Sequence, residues 1–124
     1  MHIASPLSAA PRISERRPGG IVAVLRVDPS EPVLHGHFPG FPIFPGVCLV
    51  EIAHQAALLC RPGARLTAIE RVRFLAPVFP GDEVIADLTF TGARCTARID
   101  ARRPDGQRSS AAVARLRYAD PAAL

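Results

Sequence analysis

The fold of this chain is decided by residues 35–60, which read HGHFPGFPIFPGVCLVEIAHQAALLC. The first half, residues 35–46, is rich in Pro, Gly and Phe, which predicts a shaped loop rather than regular helix. The second half predicts a helix over residues 46–59, because an apolar run there is followed by the stop signal Arg61-Pro62-Gly63.

The predicted helix has only three polar side chains, Glu51, His54 and Gln55. A helix that is apolar nearly all round is typical of a buried element, and this one is too short to cross a bilayer. We therefore expect the rest of the chain to cover it.

Strands are predicted on both sides of the helix, in β-branched or alternating runs bounded by Gly, Pro and Asp. They cover residues 21–27, 66–75, 83–90, 94–101 and 107–118. The last three are joined by short turns and predict an antiparallel meander. The predicted fold class is α+β, with one long buried helix wrapped by a curved antiparallel sheet.

A length of 124 residues predicts a single domain with one core. Residues 1–18 mix Ser, Pro, Ala and Arg without apolar periodicity and predict a flexible N-terminal arm. We place the folded domain at residues 19–119 and a C-terminal tail at residues 120–124. One helix on one sheet leaves helix surface and sheet edges uncovered, so we expect a dimer.

The composition narrows the class of protein. No apolar run approaches the roughly 18 to 20 residues of a membrane span, so we expect no association with a membrane. The chain does not open with a basic segment followed by an apolar one, as a secretory signal does, so we expect a cytoplasmic protein. A net charge of +4, supplied by Arg alone, favours an acidic partner. Aromatic residues make up only 6%, and no basic helix is visible, so we do not expect nucleic acid.

Three cysteines are too few, and too irregularly spaced, for a disulfide framework or a thiolate zinc site. We expect Cys48, Cys60 and Cys95 to act as small core residues.

The predicted helix brings an oxyanion donor and an acid together. Gly46 lies at its start, where free N–H groups and the helix dipole stabilise negative oxygen, and the missing side chain lets a substrate carbonyl approach. Glu51 lies one turn further on, on the same stripe as Gln55. A carboxyl in apolar surroundings loses hydration when it ionises, so Glu51 is either a proton donor or a structural group satisfied by its neighbours.

A base is offered by His37, in the loop before the helix, since a neutral imidazole accepts protons near neutral pH. A base, an acid and a helix N-terminus together suit removal of a proton beside a carbonyl with loss of a neighbouring hydroxyl. The spacings His35-x-His37 and Glu51-x-x-His54 could also hold a metal, but the repeated partners of a carboxylate di-metal site are missing, so we expect none.

The segment GHFPGFPIFPGVCLVEIAHQA, residues 36–56, resembles the signature of the 3-hydroxyacyl-acyl carrier protein dehydratases of the hot-dog fold. A second segment, AIERVRFLAPVFPGDEV, resembles the strand and loop that follow in that family. The resemblance implies dehydration of (3R)-3-hydroxyacyl thioesters to trans-2-enoyl thioesters, with no cofactor beyond the phosphopantetheine of the carrier protein. Because position 51 is glutamate, the chain resembles the branch of the family that does not isomerise the double bond.

The same resemblance implies a role for each site residue. His37 matches the catalytic base, Glu51 the catalytic acid, Gly46 the thioester-carbonyl donor, and Gln55 the group that orients the acid. In this family the base comes from one protomer and the acid from the other, which agrees with the dimer.

The chain also departs from the family. It lacks the usual Pro-Phe-Leu segment near the acyl tunnel, and it has His35 where Gln is common and His54 where Ala is common. These changes leave acyl length, pathway and higher oligomers open, and both histidines could tune the site. Two alternatives remain: a non-catalytic or half-catalytic subunit of a heterodimeric dehydratase, and an acyl thioesterase.

Overall fold

The computed structural model describes residues 9–31 and 44–119, in which one helix packs against a six-stranded antiparallel sheet. The helix is α1 (Gly46–Cys60). The strands are β1 (Arg12–Arg17), β2 (Gly20–Arg26), β3 (Arg65–Phe74), β4 (Glu83–Thr91), β5 (Arg94–Arg102) and β6 (Arg108–Ala119). They lie in the order β1-β2-β4-β5-β6-β3, which includes the predicted meander β4-β5-β6. The α+β prediction is confirmed.

Helix α1 begins and ends at the predicted signals. Pro45 is the N-cap, with φ −62 and ψ 142, and it supplies no side-chain hydrogen bond to the first turn. At the other end the N–H of Arg61 donates to the carbonyl of Ala57 at 2.8 Å, and Gly63 takes a positive φ of 83, which favours glycine.

The core lies between α1 and the concave face of the sheet. Alternate residues of β5 are buried, and Ile52 on the helix is fully buried. Many of the contacting side chains are alanines, on the helix and on the strands, and this lets the two layers approach closely. The buried alanines include Ala53, Ala56, Ala57, Ala86, Ala97, Ala112 and Ala114.

The cysteine prediction is confirmed for two of the three residues. Cys48 on α1 and Cys95 on β5 are fully buried, whereas Cys60 at the helix end is only partly buried, and all three are free thiols. Burial raises the pKa of Cys48 to about 11 and that of Cys95 to about 12. Both buried thiols are therefore neutral near neutral pH.

The predicted N-terminal arm needs correction, because Arg12–Arg17 form strand β1. This strand pairs with β2 through a turn at Pro18-Gly19, and its backbone hydrogen bonds do not depend on apolar side chains. Ile13 is the strand's single apolar residue, and it packs against the core. The alternation of apolar and polar residues was therefore too weak to predict a strand. Residues 1–8 and 120–124 lie outside the described residues, and the arm and tail there stay predictions.

The start of α1 is held by the loop between β3 and β4. Phe44 forms an isolated antiparallel bridge with Val78, and its N–H donates to the Val78 carbonyl at 2.8 Å. Further along that loop the buried Asp82 accepts from the Phe79 N–H at 2.9 Å and pairs with Arg103. The loop is therefore anchored on the sheet, and it fixes the helix N-terminus in place.

Two strands form the edges of the described sheet. In the described sheet β1 and β3 are the outer strands, and β3 carries exposed Ile69 and Phe74. Among the helices that the structure describes, none is long and apolar enough to cross a bilayer.

Candidate active site

The predicted acid and its orienting amide are in contact. Gln55 Nε2 donates to Glu51 Oε1 at 3.0 Å, across one turn of α1. Both side chains are partly buried. Because the amide fills one lone pair of a single oxygen, the other carboxyl oxygen stays available to a substrate hydroxyl.

The helix N-terminus lies one turn before this acid. The first turn of α1 contains no acidic residue, and Pro45 supplies no side-chain acceptor to its N–H groups. The N-terminus can thus stabilise a negative oxygen in the way the sequence predicts.

Gly46 has a second reason to lack a side chain. A Cβ at this position would lie 2.7 Å from Cε1 of Phe74, so the ring of Phe74 covers the helix start only because residue 46 is glycine. This contact joins two residues far apart in the chain and was not predicted.

An apolar groove opens beside the helix start. It has a volume of about 460 Å³ and is lined by Phe44, Gly46, Val47, Leu49, Phe74, Leu75, Ala76, Pro77 and Val78. Val47 is 64% exposed and lies one helical turn before Glu51, on the same stripe. The groove therefore contacts the helix face that also carries Glu51 one turn further on.

His54 is held by a residue that the sequence did not single out. Its Nδ1 lies 2.8 Å from the hydroxyl of Tyr118, and the two rings stack with centroids 5.7 Å apart. Burial raises the pKa of Tyr118 above its usual range, and Cys95 and Glu51 add to the rise. The phenol keeps its proton and can donate it to Nδ1. The signal available in the sequence was that Tyr118, the chain's single tyrosine, ends an alternating strand.

The structure does not describe the position of the predicted base. His35 and His37 lie outside the described residues, so the structure brings together the acid, its amide partner and the helix N-terminus. The roles of all six predicted site residues, including the tuning roles of His35 and His54, stay predictions.

Comparison with known families identifies the family to which the chain belongs. The sequence matches the ApeI-like family, described as ApeI dehydratase, over residues 13–112. The chain belongs to the ApeI-like dehydratase family. The match runs from β1 into the first part of β6 and includes Gly46, Glu51, His54 and Gln55, but it ends before Tyr118.

FabZ dehydratases are among the curated relatives of this ApeI-like chain. The 3-hydroxyacyl-[acyl-carrier-protein] dehydratase FabZ of Symbiobacterium thermophilum is 38% identical over an alignment of 98 residues, which covers 72% of this chain and 69% of the relative. The sequence resemblance to this group of dehydratases is thereby confirmed.

Solved structures confirm the hot-dog fold. The dehydratase heterocomplex ApeI:P from Xenorhabdus doucetiae matches with a TM-score of 0.74 and 24% identity, over 89% of this chain and 98% of that one. An acyl-CoA hydrolase from Staphylococcus aureus matches with a TM-score of 0.57 and 18% identity, over 82% and 66%. Because both activities occur on this fold, the fold alone does not choose between dehydration and hydrolysis.

Proposed function

We propose that this chain removes water from 3-hydroxyacyl thioesters on an acyl carrier protein and releases trans-2-enoyl thioesters, in fatty-acid or polyketide-type chain elongation. The observation that carries the proposal is the Glu51–Gln55 pair one turn beyond an uncapped helix N-terminus. Membership of the ApeI-like family and the similarity to FabZ support the same reaction.

In the proposed reaction His37 removes a proton from C2 of the thioester. Negative charge then develops on the thioester oxygen, and the Gly46 N–H with the dipole of α1 stabilises it. One well-placed donor of this kind contributes about 3 to 4 kcal/mol to the transition state. His37 lies nine residues before Gly46 in the sequence, in the segment predicted to be a shaped loop.

Glu51 completes the elimination by giving its proton to the C3 hydroxyl. The C3–O bond breaks, water leaves, and the electron pair from C2 forms the double bond. Gln55 orients the carboxyl through its hydrogen bond. The reaction is redox-neutral, so the proposal needs no redox cofactor, and the thioester arrives on the phosphopantetheine of the carrier protein.

The apolar groove at the helix start is the proposed entrance for the thioester. Its lining carries no charged side chain among the described residues, which suits an acyl or pantetheine segment. The acyl length that it accepts is left open.

We also propose that two hot-dog chains share each site, with His37 from one protomer and Glu51 from the other. The open β3 edge, with Ile69 54% exposed and Phe74 57% exposed, supports this assembly. The second chain is either an identical copy or a related hot-dog subunit, and the complex could grow beyond a dimer.

The test is to incubate the pure protein with 3-hydroxybutyryl and 3-hydroxyoctanoyl carrier protein and to weigh the products. Loss of one water from the acylated carrier supports the proposal. Loss of the whole acyl group would instead indicate a thioesterase, and unchanged substrate would indicate a subunit that is silent alone.

A further inference from the structure

Beyond the catalytic groove, the convex face of the sheet carries an arginine cluster formed by Arg71, Arg73 and Arg115. The three side chains surround a cavity of about 390 Å³, whose lining is completed by Leu75, Thr96 and Val113. All three arginines are exposed, and they lie on neighbouring strands β3 and β6.

The register of the sheet forces these like charges together. Arg71 lies directly opposite Arg115, and Arg73 lies opposite Val113, the next outward-facing residue of β6. Two cations placed opposite each other in an antiparallel pair destabilise it. An arrangement with this cost is explained if an anion occupies the cluster.

Six other arginines in the part of the chain that the structure describes form ion pairs with carboxylates. Glu70, next to Arg71, is held by Arg94 at 3.0 Å and by Arg117 at 3.2 Å. Asp100, on β5, is held by Arg108 at 2.7 Å. In the part of the chain that the structure describes, no carboxylate forms an ion pair with any member of the arginine cluster. Its charge is therefore free for a ligand.

The cluster borders the proposed substrate entrance. Leu75 lines both the arginine cavity and the apolar groove at the start of α1. Arg71 lies three residues before Phe74, which is roughly 10 Å along a strand, and Phe74 covers Gly46. A ligand anchored at the cluster can thus extend an arm past Leu75 into the groove.

We propose that the arginine cluster, with the hydroxyl of Thr96, binds the phosphate group of the phosphopantetheine arm that carries the thioester. Guanidinium groups match phosphate oxygens in forked pairs, and several of them balance its charge. The arm itself is apolar and amide-bearing, which suits the groove that begins at Leu75. This inference rests on the proposed function, and the same phosphate chemistry is offered by a carrier protein and by coenzyme A.

The test compares two thioesters that differ only in the phosphate: 3-hydroxybutyryl-4′-phosphopantetheine and 3-hydroxybutyryl-pantetheine. The double variant Arg71→Gln/Arg115→Gln should raise KM about tenfold for the first and leave KM for the second and both kcat values unchanged. Arg65→Gln, an exposed arginine at the far end of β3, is the matched control and should change neither. An equal change for both thioesters, or none for either, would overturn the proposal.

Coenzyme A and carrier-protein thioesters separate the possible sources of the phosphate. If the arginine cluster binds the phosphate, the double variant should raise KM for both the coenzyme A thioester and the carrier-protein thioester. A rise confined to the carrier protein, with no effect on the phosphopantetheine thioester, would show protein docking in place of a phosphate site and would contradict the proposal.

Calorimetric titration keeps this test independent of the proposed function. If no thioester is dehydrated, the dehydratase proposal fails, but the wild type should still bind 4′-phosphopantetheine about tenfold more tightly than pantetheine, and the double variant should lose that difference. Equal binding of the two compounds by the wild type would overturn the phosphate site.

Discussion

At the residue scale, local contacts of the site followed from the sequence and distant ones did not. The four-residue spacing of Glu51 and Gln55 places them on one helix face, and their hydrogen bond was predictable. The partner of His54 lies 64 residues away on β6, and the ring that covers Gly46 lies on β3. Such contacts depend on strand register, which spacing along the chain does not encode.

Gln55→Leu tests whether the amide orients the acid. The change keeps the size of the side chain but removes the hydrogen bond to Glu51. We expect kcat to fall about tenfold, the effect of one lost hydrogen bond in the transition state, with little change in KM. Steady-state kinetics with 3-hydroxyacyl carrier protein measure this. An unchanged kcat would mean that Gln55 has only a structural role.

At the element scale, the helix and five strands were predicted and β1 was not. Strand β5 shows strict alternation of buried and exposed residues, and α1 has strong signals at both ends. Strand β1 has the sequence RISERR, and backbone pairing with β2 holds it in place. Its side chains do not show the alternation that predicts a strand. The elements that bury apolar side chains could be predicted from the sequence. The strand that is held mainly by backbone hydrogen bonds could not.

The buried thiols between α1 and β5 should make stability fall in alkaline solution. Folding raises the pKa of Cys48 to about 11 and that of Cys95 to about 12, whereas unfolded thiols ionise near about 8.5. The folded state keeps protons that the unfolded state loses, so the contribution of the two thiols to the free energy of unfolding should be constant below about pH 8 and decrease between about pH 9 and 11.

Urea unfolding across this pH range measures the effect. The chain has no lysine, so the thiols and the single tyrosine are the side chains, besides arginine, that titrate there. Cys48→Ala should show a shallower decline than the wild type. A decline of the same slope in both proteins would contradict the assignment to Cys48.

The loop that holds the helix start depends on the Asp82–Arg103 pair. Arg103→Ala leaves the Asp82 carboxylate buried without its cation, and we expect a loss of about 3 to 5 kcal/mol in the free energy of unfolding. The double variant Asp82→Ala/Arg103→Ala should cost less than the sum of the two single variants, because neither charge is then stranded. Strict additivity in urea unfolding would show that the pair is not coupled.

At the scale of the whole molecule, exposed surfaces of the single chain lie beside the candidate site. Val47 and the β3 edge are exposed on the side where the groove opens. The sequence predicted an assembly of two chains from the shortage of covering elements, but which chain would complete the proposed shared site depends on a surface match that one sequence does not contain.

Mixing two inactive variants tests the shared site. If His37 and Glu51 come from different protomers, His37→Ala and Glu51→Gln chains that are unfolded and refolded together form mixed dimers with one intact site. About a quarter of wild-type activity should return after random mixing. No recovery, with dimers present by sedimentation, would place both residues in one protomer.

The most direct measurement of the central claim is the mass of the product formed from 3-hydroxyacyl carrier protein by the wild type and by Glu51→Gln. The substitution keeps the size of the side chain and removes the proton that the acid donates. We expect the wild type to remove one water and Glu51→Gln to be slower by a factor of about 10² to 10⁴ at unchanged stability. Equal rates of water loss in the two proteins would contradict the role assigned to Glu51.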